Sequence, residues 1–401
     1  MAWTWTKTLA LLAGVVTLAA LGWDEYVKLM RVQPLGIDFM PMWAAGHEIF
    51  RHPAHVYDFT KLTWFQHPLL EGFRGPRPFV YPPTSLLLFA PIALLPFGLA
   101  NGLWTLFGLV AMLWVLAGPA PRPLLLAGMV LMPAGVLVLL TGQITFLIVA
   151  MSVGGLVSMD RRPALAGTLF ALAGVLKPQA MVLLPVALIA LGQWRVIVTT
   201  TLVAALAVTA SLILFGAGVW IAWAQALGQF DDWVMRAYAL EEWMVTPTAL
   251  GMNLRLDPGS LDVWRLGFGL GAVAMVVAVF RNTDDLARRI AALLGGSLFI
   301  TPYAMHYDGA LVAPAAAIML ARRPGPGAWT AAFIASVVLC YASKAHWGAA
   351  AVTAFTLFAA LTPARAFGGT WRVSEFAAGR LLPPRTRGNL RSPQLSSGRP
   401  S

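Results

Sequence analysis

The sequence predicts an all-α, polytopic membrane protein, and three observations predict it. Of 401 residues, 59% are hydrophobic and only 11% are charged, whereas soluble domains carry roughly 25% charged residues. The apolar residues fall in long runs without strand-like alternation, so helices satisfy the backbone in lipid better than a barrel does. The short loops carry their arginines in alternate connections, the pattern of a chain that crosses repeatedly with a positive inner side.

The elements follow in order, each apolar run measured against the roughly 20 residues that span a bilayer. The first run covers 8–23, beginning just after Lys7. Its Ala19-Ala20-Leu21-Gly22 end lacks a clean small-x-small cleavage site, so it reads as an uncleaved first helix. A polar insertion, 24–83, follows as the first outer loop, with a short helical pattern over 39–50. The stretch 84–117 is too long for one straight span and breaks near Pro96-Phe97-Gly98, as a kinked helix or a re-entrant piece plus a span. Further runs cover 124–140, 144–158, 164–175, 178–191, 196–215, 261–280, 290–301, 309–320, 328–343 and 348–361. If 84–117 crosses once, Arg122, Arg161-Arg162, Arg195, Arg281, Arg288-Arg289 and Arg322-Arg323 share the cytoplasmic side, with about twelve crossings and both termini inside.

Residues 1–363 thus form one transmembrane domain and 364–401 a tail. The tail holds seven arginines against the single Glu375, +6 of the +11 net charge. Interleaved with Pro, Ser and Gly, it reads as a disordered cytoplasmic segment near anionic headgroups. It has few aromatic residues for stacking on bases, so nucleic acid is not an expected partner. Cys340, the one cysteine, lies in an apolar run and cannot pair within the chain.

The opposite face gathers the polar turns: the Asp38 loop, Thr141-Gly142-Gln143, Lys177-Pro178-Gln179, the segment 216–260, and Pro302 to Asp308. Ionisable groups cluster at this outer boundary instead of at mid-membrane, a pattern that favours an enzyme over a channel or pump. Within 216–260, Trp220, Trp223, Leu227, Phe230 and Val234 recur at helical spacing, with Asp231, Asp232 and Arg236 on the polar side. This reads as an interfacial helix with an aromatic face.

Asp38 lies in a Gly-Ile-Asp-Phe turn at the bilayer edge. A carboxylate there is a candidate general base for a lipid-linked substrate; its competing role is to cap the helix that starts at Phe39. Lys177, next to Pro178, can meet a phosphate or snorkel to headgroups. His306, with Tyr303 and Tyr307, can donate to phosphate or bond within its loop, and Asp308 can orient His306 or cap the next span. Gln143 can bind a sugar hydroxyl or serve as a satisfied turn amide. Tyr81, before two prolines, sits in extended chain and can stack on a sugar or serve the fold. Asp58 and Glu48 are weaker acidic alternatives, explained by ordinary solvation.

Asp38-Phe39 after a first span, the Trp43/Ala44/Ala45/Gly46 helix, Val56-Tyr57-Asp58, Tyr81-Pro82-Pro83, Gly142-Gln143, Ala166-Gly167, Lys177-Pro178 and His306-Tyr307 together resemble glycosyltransferase family 87 over roughly 38–320. The chain departs from that pattern at Arg51-His52-Pro53, where a glycine commonly precedes the Tyr57-like position. The family is similar to polyprenol-phosphate-mannose-dependent mannosyltransferases. The resemblance implies the GT-C transmembrane architecture, a site on the periplasmic face of the bacterial inner membrane, and Asp38 as the catalytic carboxylate. It implies a polyprenyl-phosphate sugar as donor and a glycolipid or glycan as acceptor; the sugar itself does not carry over from the resemblance, and a hexose, mannose favoured, is the expectation. Lys177, His306, Tyr307, Gln143 and Tyr81 are the expected substrate-binding set. No bound cofactor is expected: there is no Gly-rich phosphate loop after a strand and no His-Glu-x-x-His. The rival class is a transporter or flippase of lipid-linked saccharides, which predicts inverted repeats and broken helices at mid-membrane.

Overall fold

The structure, a computed structural model, describes residues 34–70, 75–120, 122–230, 243–321 and 345–363, with isolated positions 13, 16, 20, 23 and 27. The first apolar run falls largely outside these residues. So do the run 328–343 with Cys340, the Arg322-Arg323 pair, Asp231, Asp232, Val234 and Arg236, and the basic tail. Among the described residues the chain is helical and without strands, apart from an antiparallel bridge between Met244 and Met305. In chain order the helices are α1 (Met40–Glu48), α2 (Phe59–Gln66), α3 (Leu86–Ile92), α4 (Phe97–Leu116), α5 (Pro123–Leu131), α6 (Pro133–Thr141), α7 (Thr145–Ser158), α8 (Pro163–Leu176), α9 (Leu184–Leu191), α10 (Trp194–Phe215), α11 (Ala217–Phe230), α12 (Pro247–Asn253), α13 (Pro258–Asn282), α14 (Leu286–Ile290), α15 (Gly296–Ile300), α16 (Ala313–Ala321) and α17 (Ala345–Leu361).

Among the described residues, three helices are long and apolar enough to cross a membrane: α4, α10 and α13. The pair α5 and α6 makes a fourth if counted as one span bent by 66°. The bend has a local cause: Pro133 opens α6 without an N–H to donate, and Met132 before it is extended. The long helices expose apolar stripes, Val198, Leu202, Leu206 and Ile213 on α10 and Val263, Leu266 and Leu270 on α13. Such contiguous stripes are costly in water, and in hydrocarbon they are the expected outer face. This gives the chain its membrane character.

The sequence predicts about twelve crossings; the described helices include several too short to span by themselves. Thr145–Ser158, Pro163–Leu176 and Gly348–Leu361 are apolar but have at most 17 residues. Fourteen residues rise about 21 Å, against a hydrocarbon core of about 30 Å. Helix α7 has a different reason to be apolar: it is buried from Thr145 through Leu156, at the centre of the bundle. The stretch 84–117 does break, between Ile92 and Phe97. Its first piece, α3, lies on α1 so closely that a Cβ on Gly46 would meet the Phe89 carbonyl oxygen at 2.4 Å. The Ala166-Gly167 pair is a packing device of the same kind: a Cβ on Gly167 would meet Thr199 Cβ at 2.6 Å and Val196 O at 2.9 Å, which lets α8 lie against α10.

One end of the bundle gathers the loops at Asp160, Gln193, Asp284, Asp285 and Arg289. Gln193 Nε2 lies 3.4 Å from Asp160 Oδ1, and Arg289 interacts with Asp284, Asp160 and Asp285. Arg288 Nε donates to the Ala360 carbonyl at 2.8 Å. The Asp38, Gln143, Lys177 and His306 turns meet elsewhere, in the cluster described next.

Candidate active site

The first loop is clamped to the end of α6. Helix termini leave carbonyls without internal partners, and the last ones of α6 accept from the Asp38 turn. The N–H of Gly36 donates to Leu140 O at 2.7 Å, and those of Asp38 and Phe39 donate to Thr141 O at 2.9 and 3.0 Å. Two glycines permit the clamp. Gly36 and Gly142 both have φ +72°, the left-handed region that L residues avoid. A Cβ on Gly142 would also lie 2.5 Å from Asn101 Oδ1 and 2.7 Å from Phe39 Cβ. Trp104 Nε1 donates to the Gly142 carbonyl at 3.1 Å. Replacing Gly142 with Ala is therefore expected to cost about 1–2 kcal/mol in backbone strain alone, with a further cost from the clash. A thermal-unfolding midpoint equal to wild type would contradict this clamp.

Asp38 does not cap α1. The N-cap residue is Phe39, and no side chain caps that end. The carboxylate keeps 21% side-chain exposure and faces Arg77, with Nη1 at 4.0 Å from Oδ1. Burial raises its pKa above the ordinary value; Arg77 opposes that, as do the Thr141 and Gln143 side chains, while Asp308 adds to the rise. The result is a carboxylate more basic than a solvated one that is still partly exposed.

Arg77, beside Asp38, is a residue of this candidate site that sequence reasoning missed. Its main chain is pinned on both sides: its N–H donates to Thr63 Oγ1 at 3.0 Å, and its carbonyl accepts from Gln66 Nε2 at 2.9 Å. The guanidinium is 16% exposed. Its signal lies in a Gly-Pro-Arg-Pro run, where nothing periodic reveals which way a side chain points.

Gln143 and Tyr81 are brought beside Asp38. Gln143 Oε1 accepts from Tyr81 Oη at 3.2 Å and from the Ile144 N–H at 3.1 Å, which leaves its amide NH₂ for Asp38. Burial pushes the Tyr81 phenol well above its usual range, so it stays a neutral donor. Tyr57 Oη donates to the Tyr81 carbonyl at 2.7 Å, and Trp223 Nε1 donates to Val80 O at 3.2 Å. The aromatic face predicted for α11 is thus split. Trp223 holds the first loop, and Phe230 packs on Tyr303 at 5.0 Å between ring centroids, while Ile221 and Leu227 are exposed.

A second cluster adjoins the first. Lys177, at the C-terminal end of α8, pairs with Asp308 Oδ1; it is 5% exposed and so does not snorkel to headgroups. Thr145 Oγ1 donates to the same Asp308 oxygen at 3.2 Å, and the Lys177 ammonium sits 5.6 Å from the Tyr307 ring centroid. Asp308 accordingly holds Lys177, in place of the expected cap or His306 orienter. His306 points elsewhere: Nδ1 lies 3.4 Å from Trp243 O, and its ring packs against those of Trp243 and Tyr307. Burial lowers its pKa to about 4, so at neutral pH it can offer a hydrogen bond but no charge. The clusters communicate electrostatically, since Asp308 acts on Asp38, Tyr81 and Tyr307.

The weaker acidic candidates have structural partners. Asp58 caps α2, accepting from the Lys61 N–H at 3.0 Å. Glu48 is 3% exposed, so ordinary solvation does not account for it; His55 Nδ1 lies 3.0 Å from its carboxylate.

Taken together, the arrangement offers a partly open, basic carboxylate, an adjacent guanidinium, neutral phenols and a carboxamide, on the scaffold of a membrane bundle. No curated protein and no solved structure matches the chain. The sequence profile of glycosyltransferase family 87 matches residues 79–302. Tyr81, Gln143 and Lys177 lie inside that stretch, while Asp38, Arg77 and His306 to Asp308 flank it. Because the match spans more than half of the sequence, the chain belongs to glycosyltransferase family 87.

Proposed function

We propose that this glycosyltransferase moves a hexose, mannose favoured, from a polyprenyl-phosphate donor to a glycolipid or glycan hydroxyl. The observation that carries the reading is Asp38: a carboxylate made more basic by burial, still partly exposed, with Arg77 beside it. In this account Asp38 takes the proton of the acceptor hydroxyl. The hydroxyl oxygen bonds to the anomeric carbon as the bond from that carbon to the phosphate oxygen breaks. Polyprenyl phosphate leaves with the electron pair, and one displacement inverts the anomeric centre.

The donor phosphate needs cations and donors that are already in place. Arg77 lies beside Asp38, Nη1 at 4.0 Å from Oδ1. Lys177, fixed by Asp308, supplies a second positive charge, and Tyr307, His306, Tyr81 and Gln143 supply neutral polar groups for phosphate and sugar. The bundle is read as a GT-C architecture of about twelve crossings, the short apolar helices completing spans with their neighbours. The site then faces the periplasm from the bacterial inner membrane, and both termini are cytoplasmic.

The test is product stereochemistry. Purified protein in lipid, offered a panel of polyprenyl-phosphate hexoses of known anomeric configuration, is expected to yield a glycoside of inverted configuration by NMR. Retention would refute direct displacement. The electrostatics give a second expectation. Activity needs ionised Asp38, so kcat/KM falls as pH drops through its raised pKa. Arg77 lowers that pKa; Arg77→Gln should therefore move the acid limb of the profile to higher pH, besides weakening donor binding. An acid limb that stays put would separate Arg77 from Asp38.

A further inference from the structure

The first loop carries a second polar cleft, at the opposite end of α1 from Asp38. Nine residues of α1 separate the two, about 13 Å at 1.5 Å per residue. The cleft has a volume of about 550 Å³ and is lined by His47, Glu48, Arg51, His55, Lys61 and Trp64, among others. Its charges are unevenly presented. The Glu48 side chain is 4% exposed and engaged by His55 at 3.0 Å and His47 at 3.6 Å, so its charge is withdrawn from the opening. Arg51 is exposed, its Nη1 resting 2.8 Å from His47 Nδ1. Lys61 is 56% exposed and meets Asp58 at 3.4 Å, a solvent-screened pair worth little and easily exchanged. Among the described residues no group of three or more His, Cys, Asp or Glu is placed to hold a metal ion, so the histidines do not make a metal site.

The position of the cleft says what meets it. Phe50, next to Arg51, is 67% exposed and packs on Phe215 with ring centroids 5.6 Å apart. Phe215 ends α10, whose flank exposes Leu206 and Ile213. Trp64, 69% exposed, stands on the cleft's rim. Exposed aromatic residues beside cations at the end of an apolar span mark headgroup depth.

We propose that this cleft binds the phosphate headgroup of an anionic membrane lipid, as a site separate from Asp38, with Arg51 and Lys61 as the anion-binding pair. The inference rests on α10 lying in the membrane and not on the transfer chemistry. A cation at an anionic surface contributes about fivefold in affinity, so the pair together contributes about 25-fold.

Native mass spectrometry of the purified full chain tests it, with phosphatidylglycerol and phosphatidylcholine offered in equal amounts. Wild type is expected to retain phosphatidylglycerol preferentially. The double variant Arg51→Gln, Lys61→Gln should lose that preference, while Arg51→Lys, Lys61→Arg should keep it, and Arg265→Gln, an exposed cation elsewhere, should leave it unchanged. Equal retention of both lipids by wild type, or an unaltered preference in the Gln variant, would overturn the proposal. Inorganic phosphate distinguishes the sources of the group. Retention that survives an equimolar amount supports a lipid as occupant, and full displacement would overturn the lipid in favour of a soluble phosphate.

Discussion

Asp38→Asn is expected to lower kcat by on the order of 100- to 10,000-fold, the usual contribution of a positioned general base. The substitution keeps shape and volume and removes basicity. The turn that carries Asp38 is held through its backbone, by Gly36, Asp38 and Phe39 N–H groups on the last carbonyls of α6. No cap is lost with the carboxylate, and its contacts with Arg77 and the Thr141 and Gln143 side chains add to a turn that the backbone already fixes. Unfolding temperature should therefore stay near that of wild type. Burial already opposes charge on Asp38, so a neutral amide there adds no new desolvation cost. Asp38→Glu should recover little, because the longer arm moves the base away from a hydroxyl positioned for a shorter one. Near-normal turnover by Asp38→Asn would remove the base from the mechanism.

The second large effect concerns Lys177. Its ion pair with Asp308 is buried on both sides, at 6% and 4% side-chain exposure. Removing one partner of such a pair leaves an uncompensated charge and costs about 3–5 kcal/mol. Lys177→Met should accordingly lower the unfolding midpoint sharply, and Asp308→Leu likewise. The double variant should be more stable than either single one, because an apolar pair leaves no orphan charge. Additive losses in the double variant would mean that the two residues do not act as a pair. Activity should fall in all three, since the second positive charge of the site is gone or misplaced.

These two sites differ in how readily the sequence discloses them. Asp38 stands out because a carboxylate at the edge of an apolar run is costly and a glycine two residues before it marks a tight turn. Gly142-Gln143 and Lys177-Pro178 are visible as polar breaks between apolar runs. What the sequence hides is pairing across long separations. Lys177 and Asp308 are 131 residues apart, and only tertiary packing shows that Asp308 turns to Lys177 and not to His306. Arg77 is hidden for a different reason: it sits in irregular chain, where its direction is set by Thr63 and Gln66, not by any period.

The fold shows the same division. Helical character, the break after Ile92 and the short helix after Asp38 follow from apolar period and proline placement. Hydropathy alone does not separate lipid-facing from protein-facing apolar helices. Helix α7 and helix α10 are both apolar, yet one is buried almost throughout and the other exposes a long stripe. Burial on all sides replaces lipid as the reason for α7's composition, and length then decides what can span alone.

The central claim is that this chain breaks the bond between a sugar and a lipid phosphate. The most direct measurement is the fate of polyprenyl-phosphate mannose, labelled in the sugar, in liposomes containing the purified protein and a glycolipid extract as acceptor. The account predicts label in a new glycoside with stoichiometric release of polyprenyl phosphate, and none with Asp38→Asn. Label that crosses the bilayer on intact donor, with no free polyprenyl phosphate formed, would contradict it and make the chain a flippase.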